Sequence, residues 1–385
     1  MHIRIPHDKD ISQIKELWQY CFDDSPEFVE WFFENRYKSE YALAYYDGDK
    51  ISSALQLLPY TIMLRGRQMD TSYLVGMSTW PEYRGRGDAA ALIRHSLELM
   101  RGRQEWVSIL LPFRYDFYRK YGWEICCEHL MYKGSNELFS SPGRISGEII
   151  PVSFDKIDVL NECYREFMRH YHGYVIRKEE DWKRVLGDLY IESGSGYIVY
   201  DAGKAAGYAL FTISNRELRV RELIYNSPRA KDTLLKLIAS HYSQCDVIVW
   251  TAPADDITYI DMHDSRGLIY KQAYVMGRIV DVRHALAGLK AGQDIVLHIK
   301  VLDDVLPWNN GVFCLESIDG SIEVSSSDNQ PQVIVPITTL AQLLWGYITP
   351  AQARRHGKLE CCDDSAMYIL HEVFNPVVPY IIEDY

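Results

Sequence analysis

Cysteine is scarce, at eight in 385 residues. That is too dilute for a disulfide scaffold, and the adjacent pairs Cys126-Cys127 and Cys361-Cys362 lack the two-residue gap of a zinc knuckle. Reduced, mostly buried thiols are expected. Long apolar runs are missing too: Val247–Trp250 and Ile109–Leu111 fall far short of the roughly 20 residues that a membrane helix needs, so no membrane association is expected. The opening residues Met1 to Asp8 hold no apolar segment of the roughly 7 to 15 residues found in a secretory leader, which predicts a cytoplasmic location. Positive charge is in deficit, with 41 Lys plus Arg against 53 Asp plus Glu and a net charge of −12. With no basic stretch to offset that deficit, a phosphate backbone would be repelled and nucleic-acid binding is not expected. The same imbalance suits a cationic small molecule or a basic peptide, and it equally serves solubility. His170-Tyr171-His172 has the gap of a ligand pair, but no Cys or His clusters near it in sequence, so no metal is expected.

What is present reads as a fully folded chain. Hydrophobic residues at 47% and charged residues at 24% are ordinary for globular proteins, and 385 residues suffice for two or three domains. A faint internal repeat divides the chain. Tyr41–Tyr46 runs through Asp47-Gly48-Asp49-Lys50 into Ile51–Leu57, and Gly196–Tyr200 runs through Asp201-Ala202-Gly203-Lys204 into Ala205–Phe211. Both are β-rich runs around an Asp/Gly turn, the pattern of a hairpin. Helical periodicity precedes each: Ile11, Ile14, Leu17 and Trp18, then a second stretch from Pro26 to Asn35, in the first copy; Leu160, Cys163, Phe167 and Met168 in the second. A further strand and a helix follow each hairpin, at Ala89–Met100 and Asp232–His241. Two copies of one α+β unit are the economical explanation. From about residue 286 the pattern changes to alternating strands such as Ile295–Leu302, with a helix beginning near Leu340–Trp345 and a last one capped by Asp364-Ser365. This predicts a third, smaller α+β domain with a docked tail, Val377–Tyr385.

The chemistry concentrates in one bend. Tyr73–Trp80 passes through Pro81-Glu82-Tyr83-Arg84-Gly85-Arg86-Gly87-Asp88 into a helix whose face is Ala89, Leu92, Ile93, Ser96, Leu97 and Met100. Glycines admit a ligand close to the backbone, and the first amides of a helix lack internal partners. The amides of Arg86 to Ala89, the helix dipole and the Arg84 guanidinium therefore make an anion cradle. The same letters spell Gly85-x-Gly87-x-x-Ala90, a dinucleotide fingerprint with Glu105 at ribose distance, which keeps a nicotinamide enzyme open as an alternative. Against it stand the helical pair and hairpin that precede the bend. Downstream, the strand Trp106–Leu111 leads to a short helical stretch, Phe113–Tyr121, with Gly122 in the left-handed position after it.

Together, Arg84-x-x-Gly87-x-Ala89 and Tyr118-x-x-x-Gly122-Trp123 resemble the acetyl-coenzyme A site of the GNAT acetyltransferase superfamily. A second half whose matching stretch Leu223–Ala230 lacks the Gly-rich loop, followed by a domain similar to sterol-carrier folds, resembles the Eis-type (enhanced intracellular survival) acetyltransferases. The resemblance implies two tandem GNAT folds, each a mixed sheet flanked by helices, and a sterol-carrier-like α+β domain: a catalytic domain at 1–137, a silent copy at 138–285 and a C-terminal domain at 286–385 whose tail enters the active site. It implies acetyl-coenzyme A as co-substrate, an amine acceptor that is a small molecule or a peptide, and a homo-oligomer, in that family a hexamer. Carried onto this chain, it gives Tyr118 as general acid, the amides of Met77 and Thr79 on the pantetheine, Arg84, Gly85, Arg86, Gly87, Asp88 and Ala89 on the pyrophosphate, and the terminal carboxylate of Tyr385 in the active site. Trp80, where family members often have a small residue, is a departure that could alter the adenine-side rim. Asp23, Asp24 and Trp31 lie in the helical pair that walls the acceptor cleft in such folds, and an aromatic flanked by acids suits a polyamine. Solvated helix caps explain the acids equally well. A non-catalytic acyl-coenzyme A or lipid-binding regulator, with an apolar tunnel in the third domain, is the other alternative.

Overall fold

Two amphipathic helices open the chain, α1 (Ile11–Cys21) and α2 (Pro26–Asn35), as the apolar spacing predicts. Ser25 starts α2, its hydroxyl accepting from the Phe28 amide at 3.1 Å with Pro26 in the first helical position. They follow a short strand β1 (His2–Arg4) and precede β2 (Ala42–Asp47), β3 (Lys50–Leu64) and β4 (Arg67–Thr79). Next come α3 (Asp88–Gly102), β5 (Val107–Leu110), α4 (Tyr115–Arg119), β6 (Glu124–Ile125) and β7 (Glu128–Gly134). The structure, a computed structural model, describes residues 2–139, 145–262 and 268–384. It divides into one unit of Met1–Cys127 with Tyr274–Tyr385 and another of Glu128–Ala273.

In the first unit the sheet order is β1-β2-β3-β4-β5, then the strand Met276–Ile279, then β6. Strands β1 to β4 are antiparallel, whereas β4 and β5 are parallel and pair only from Thr71↔Val107 to Tyr73↔Ile109. Beyond Tyr73 no strand among the described residues pairs that side of β4, so its backbone from Leu74 to Thr79 is an open edge. On the other side the β3–β4 register jumps from Ala54↔Ser78 to Gln56↔Val75. Gly76 and Met77 thus oppose Leu55 alone, a β-bulge, with Gly76 at φ 63°. Leu55, Leu57 and Leu74 of the sheet bury against Leu92, Ile93, Leu97 and Met100 of α3. This fold does not suit a dinucleotide fingerprint, because two helices and four antiparallel strands precede the bend. Glu105 is buried and accepts from the Ser72 hydroxyl at 2.5 Å instead of facing a ligand.

The second unit carries the repeat: a hairpin Ser195–Asp201 and Lys204–Ser214, then Glu217–Tyr225, the helix Pro228–Ala239 and the parallel strand Val247–Pro253. Here the structure departs from sequence order. Strand β7, which ends the first half in sequence, pairs with Val247–Pro253 and Leu268–Ala273 of the second unit. Met276–Ile279, which ends the second half, pairs with β5 and β6 of the first. By contacts the units part after Cys127 and Ala273, and the first unit includes the C-terminal residues 286–385.

That domain has a sheet of order Ser321–Ser326, Gly311–Ile318, Val296–Leu302, Val333–Pro336, Glu360–Cys361. Its last helix, Asp364–Val373, is capped by Asp363, whose side chain accepts from the Ala366 amide at 2.8 Å, one residue before the expected cap. The tail is docked: Tyr380 and Ile381 are buried, and the Tyr73 phenol donates to the Glu383 carbonyl at 3.4 Å. Tyr385 lies outside the described residues. Cys126, Cys127, Cys163 and Cys245 are buried and no described pair is bridged.

Candidate functional site

The bend between β4 and α3 is built by its glycines. Gly85 (φ 80°) and Gly87 (φ 96°) adopt left-handed backbone that side chains rarely take, and Gly87 is the residue at the helix start. No side chain caps α3 there. Asp88, the obvious competitor for its amides, turns inward instead; it is buried, and accepts from the Ser52 hydroxyl at 2.6 Å. The open amides of α3 thus keep their positive end for another anion.

These amides face a cavity of about 710 Å³ whose walls include Gly85, Gly87, Asp88, Ala89 and Ala90, the open β4 edge at Met77, Ser78 and Thr79, and Arg84. Arg84 is held against the edge by donating from Nε to the Thr79 carbonyl at 3.1 Å. Arg86 does not line the cavity; its guanidinium lies over the Tyr83 ring at 4.6 Å. Seven of the eight residues expected around the coenzyme therefore line one cavity; Arg86 does not, and its amide donates to the Tyr83 carbonyl at 3.4 Å. If this cradle grips a diphosphate, Arg84→Ala weakens acetyl-coenzyme A binding about tenfold, the worth of one charge-assisted hydrogen bond, while Arg86→Ala changes it less than twofold. Titration calorimetry of the two variants separates these outcomes, and equal losses would contradict the assignment.

Sequence reasoning missed the opposite wall. Phe113, Arg114, Phe117 and Tyr121 line it, with Cys21 and Phe22 from the end of α1. Burial pushes the Tyr121 phenol above its ordinary range, so it stays protonated near neutrality. Tyr118 belongs to the same segment, and its buried ring packs edge-on against Phe113 (5.5 Å), Phe117 (5.0 Å) and Trp123 (6.3 Å). Gly122 ends the segment in the expected left-handed conformation (φ 87°), and a Cβ there would stand 2.6 Å from the Arg278 guanidinium carbon. The expected acceptor residues do not reach this cavity. Asp24 accepts from the Trp18 indole at 2.8 Å, which makes it a support for α1, while Asp23 is exposed and Trp31 is half-buried against Phe28.

The corresponding place in the second unit is closed chemically. Ser227 caps the helix Pro228–Ala239, accepting from the Ala230 amide at 3.1 Å, and Pro228 removes another amide altogether. Nearby Asp256 is buried and bound to the Tyr132 phenol (2.6 Å), the Tyr225 phenol (3.3 Å) and Lys231 (3.5 Å). An anion finds the helix start already capped at Ala230 and meets a carboxylate. Among the described residues no cluster of His, Cys, Asp and Glu could hold a metal, and no helix is long and apolar enough to cross a membrane.

Residues 2–126 and, separately, 173–279 match the acetyltransferase (GNAT) domain, and residues 282–382 match the sterol carrier protein domain. No curated protein matches the sequence. Among solved structures, a GCN5-related N-acetyltransferase from Anabaena variabilis superposes over 100% of both chains with a TM-score of 0.89 and 26% identity. A probable N-acyltransferase from Enterococcus faecalis covers 100% of this chain and 99% of its own at TM-score 0.88 and 23% identity. Eis1 from Mycobacterium abscessus covers 100% of both at TM-score 0.81 and 19% identity, a likeness of fold.

Proposed function

The chain belongs to the GNAT acetyltransferase family, with two GNAT domains followed by a sterol carrier domain, and we propose that it moves an acetyl group from acetyl-coenzyme A to an amine of a cationic acceptor by direct transfer in a ternary complex. One observation carries this reading: the open β4 edge and the uncapped start of α3 face the same cavity. A cavity of about 710 Å³ is within the range of cofactor sites. The α3 amides and Arg84 suit a diphosphate, and the edge amides of Met77 and Thr79 suit the peptide-like pantetheine arm and the thioester carbonyl.

Acetyl transfer to an amine needs a neutral nucleophile, a polarised carbonyl and a proton for the departing thiolate. A lysine-like amine of pKa about 10.4 is neutral roughly once in a few thousand molecules at pH 7, a cost of about 4 to 5 kcal/mol unless the protein removes the proton. In this reading Tyr118 protonates the thiolate, a transfer uphill by about 2 kcal/mol from reference pKa values that developing charge offsets. The terminal carboxylate of Tyr385, a weak base at pKa about 3.5, orients the ammonium or relays its proton through water. The docking of Glu383 on Tyr73 supports this, because Tyr73↔Ile109 is the last pair before β4 and β5 separate. Net charge of −12 favours a polycationic acceptor such as an aminoglycoside, a polyamine or a lysine side chain.

Following thiol release from acetyl-coenzyme A across aminoglycosides, polyamines and lysine peptides tests the proposal. Turnover is expected with at least one polyamine class and little with neutral alcohols. Silence on every amine, with tight coenzyme binding retained, would identify an acyl-coenzyme A sensor instead.

A further inference from the structure

The hairpin joining β3 to β4 turns through Arg65 and Gly66, both at positive φ (49° and 74°). Asn or Gly is the favoured first residue of such a turn, and a longer side chain there costs of order 1 kcal/mol. Arg65 carries that strain, and its guanidinium is used on every edge. Nε donates to the Leu344 carbonyl (2.7 Å), Nη2 to that of Leu343 (2.8 Å), and Nη1 to the Asn375 carbonyl (3.1 Å) and side-chain oxygen (2.8 Å). Leu343 and Leu344 belong to the last turn of the helix Ile337–Trp345, and the Leu343 carbonyl also accepts from the Gly346 amide at 3.1 Å. Asn375 follows Phe374, the C-cap of the final helix, and is the root of the tail. The Phe374 ring lies 5.7 Å from the guanidinium carbon.

The same hairpin holds the far end of the tail. Six residues into β4, Tyr73 donates to the Glu383 carbonyl, and the Cys127 thiol donates to the Pro379 carbonyl at 3.6 Å along the way. The hairpin and the strand that carries the coenzyme-facing edge are thus tied to residues 375 and 383, while residue 379 is held by Cys127, just after β6. A slip of one residue at the root would move the terminus by about 3.3 Å, and misplacement of about 1 Å can cost a hundredfold in rate.

We infer that Arg65 is a positioning residue for acetyl transfer: it fixes the root of the C-terminal tail on the β3–β4 hairpin and so sets the register in which the tail's last residues meet the catalytic cleft. The inference rests on the role proposed above for the terminal carboxylate. Arg65→Asn tests it well, because Asn suits the turn while losing the fork, and Arg65→Lys keeps the charge without the bidentate geometry. Two measurements are made on the full chain and on one lacking Asp384 and Tyr385: amide hydrogen exchange within residues 377–383, and kinetics with acetyl-coenzyme A and spermine. Arg65→Asn is expected to speed exchange across that segment at least tenfold, to lower kcat about tenfold and to leave KM for acetyl-coenzyme A within twofold, with Arg65→Lys between. In the trimmed chain it should lower kcat no further. Unchanged exchange, or an equal kcat loss in the trimmed chain, would overturn the inference. Trimming that leaves kcat unaltered would overturn the role of Tyr385 and with it the catalytic half of the inference, while the exchange rates still decide whether Arg65 anchors the tail.

Discussion

Tyr118→Phe is expected to lower kcat by between tenfold and a thousandfold while leaving the affinity for acetyl-coenzyme A unchanged. The ring has three edge-on neighbours, Phe113, Phe117 and Trp123, and Phe keeps all of them. Only the hydroxyl is lost, and the hydroxyl is the group assigned to the departing thiolate. The grip on the coenzyme is assigned to the α3 amides, Arg84 and the β4 edge, none of which Phe disturbs, so removal of the hydroxyl should not register in binding. Thiol-release kinetics beside calorimetry of the coenzyme give the split. Unchanged turnover would remove Tyr118 from the mechanism, and loss of both turnover and affinity would reassign it to the scaffold.

Gly76→Ala should be the most damaging small substitution in the first unit. Its φ of 63° disfavours any side chain, and a Cβ would stand 2.3 Å from Cζ3 of Trp18. That ring cannot swing aside, since it is buried, tied to Asp24 through its indole nitrogen at 2.8 Å, and packed on Phe32 at 4.6 Å. Overpacking with backbone strain costs about 2 to 4 kcal/mol, equivalent to a fall in Tm of roughly 5 to 15 °C for a unit of this size. Relief by flattening the bulge would turn the Met77 and Thr79 amides, so coenzyme affinity should drop about a hundredfold. Trp18→Leu in the Gly76→Ala background should recover part of the Tm. A variant with parental Tm and affinity would show that the bulge does not position the edge.

The parts of this site that were legible in the sequence are those fixed by neighbouring residues. Arg84-x-x-Gly87-x-Ala89 needs only its own glycines to form the bend, and Tyr118 to Gly122 is one helical turn with its stop, so both stand where their spacing puts them. What depends on distant pairing was not legible. The bulge at Gly76 arises from register against β3; its one local sign is the isolated glycine, which does not say which residue it opposes. The exchange of β7 for Met276–Ile279 is decided by which sheet buries His129 to Tyr132, and either half offers a plausible partner. Side-chain direction was equally hidden. Asp24 braces Trp18, and Asp88 contributes an open amide because Ser52, 36 residues earlier, draws its carboxylate inward. In the second unit the missing glycines were readable, and Pro228 with them, but the buried Asp256 network was not.

Coenzyme stoichiometry tests the central claim, that the chain has one working cradle and it lies in the first unit. Calorimetric titration of the intact chain with acetyl-coenzyme A should give one site per chain, lost in Gly87→Val and kept in Ser227→Ala. Two sites per chain, or binding that survives Gly87→Val, would contradict it.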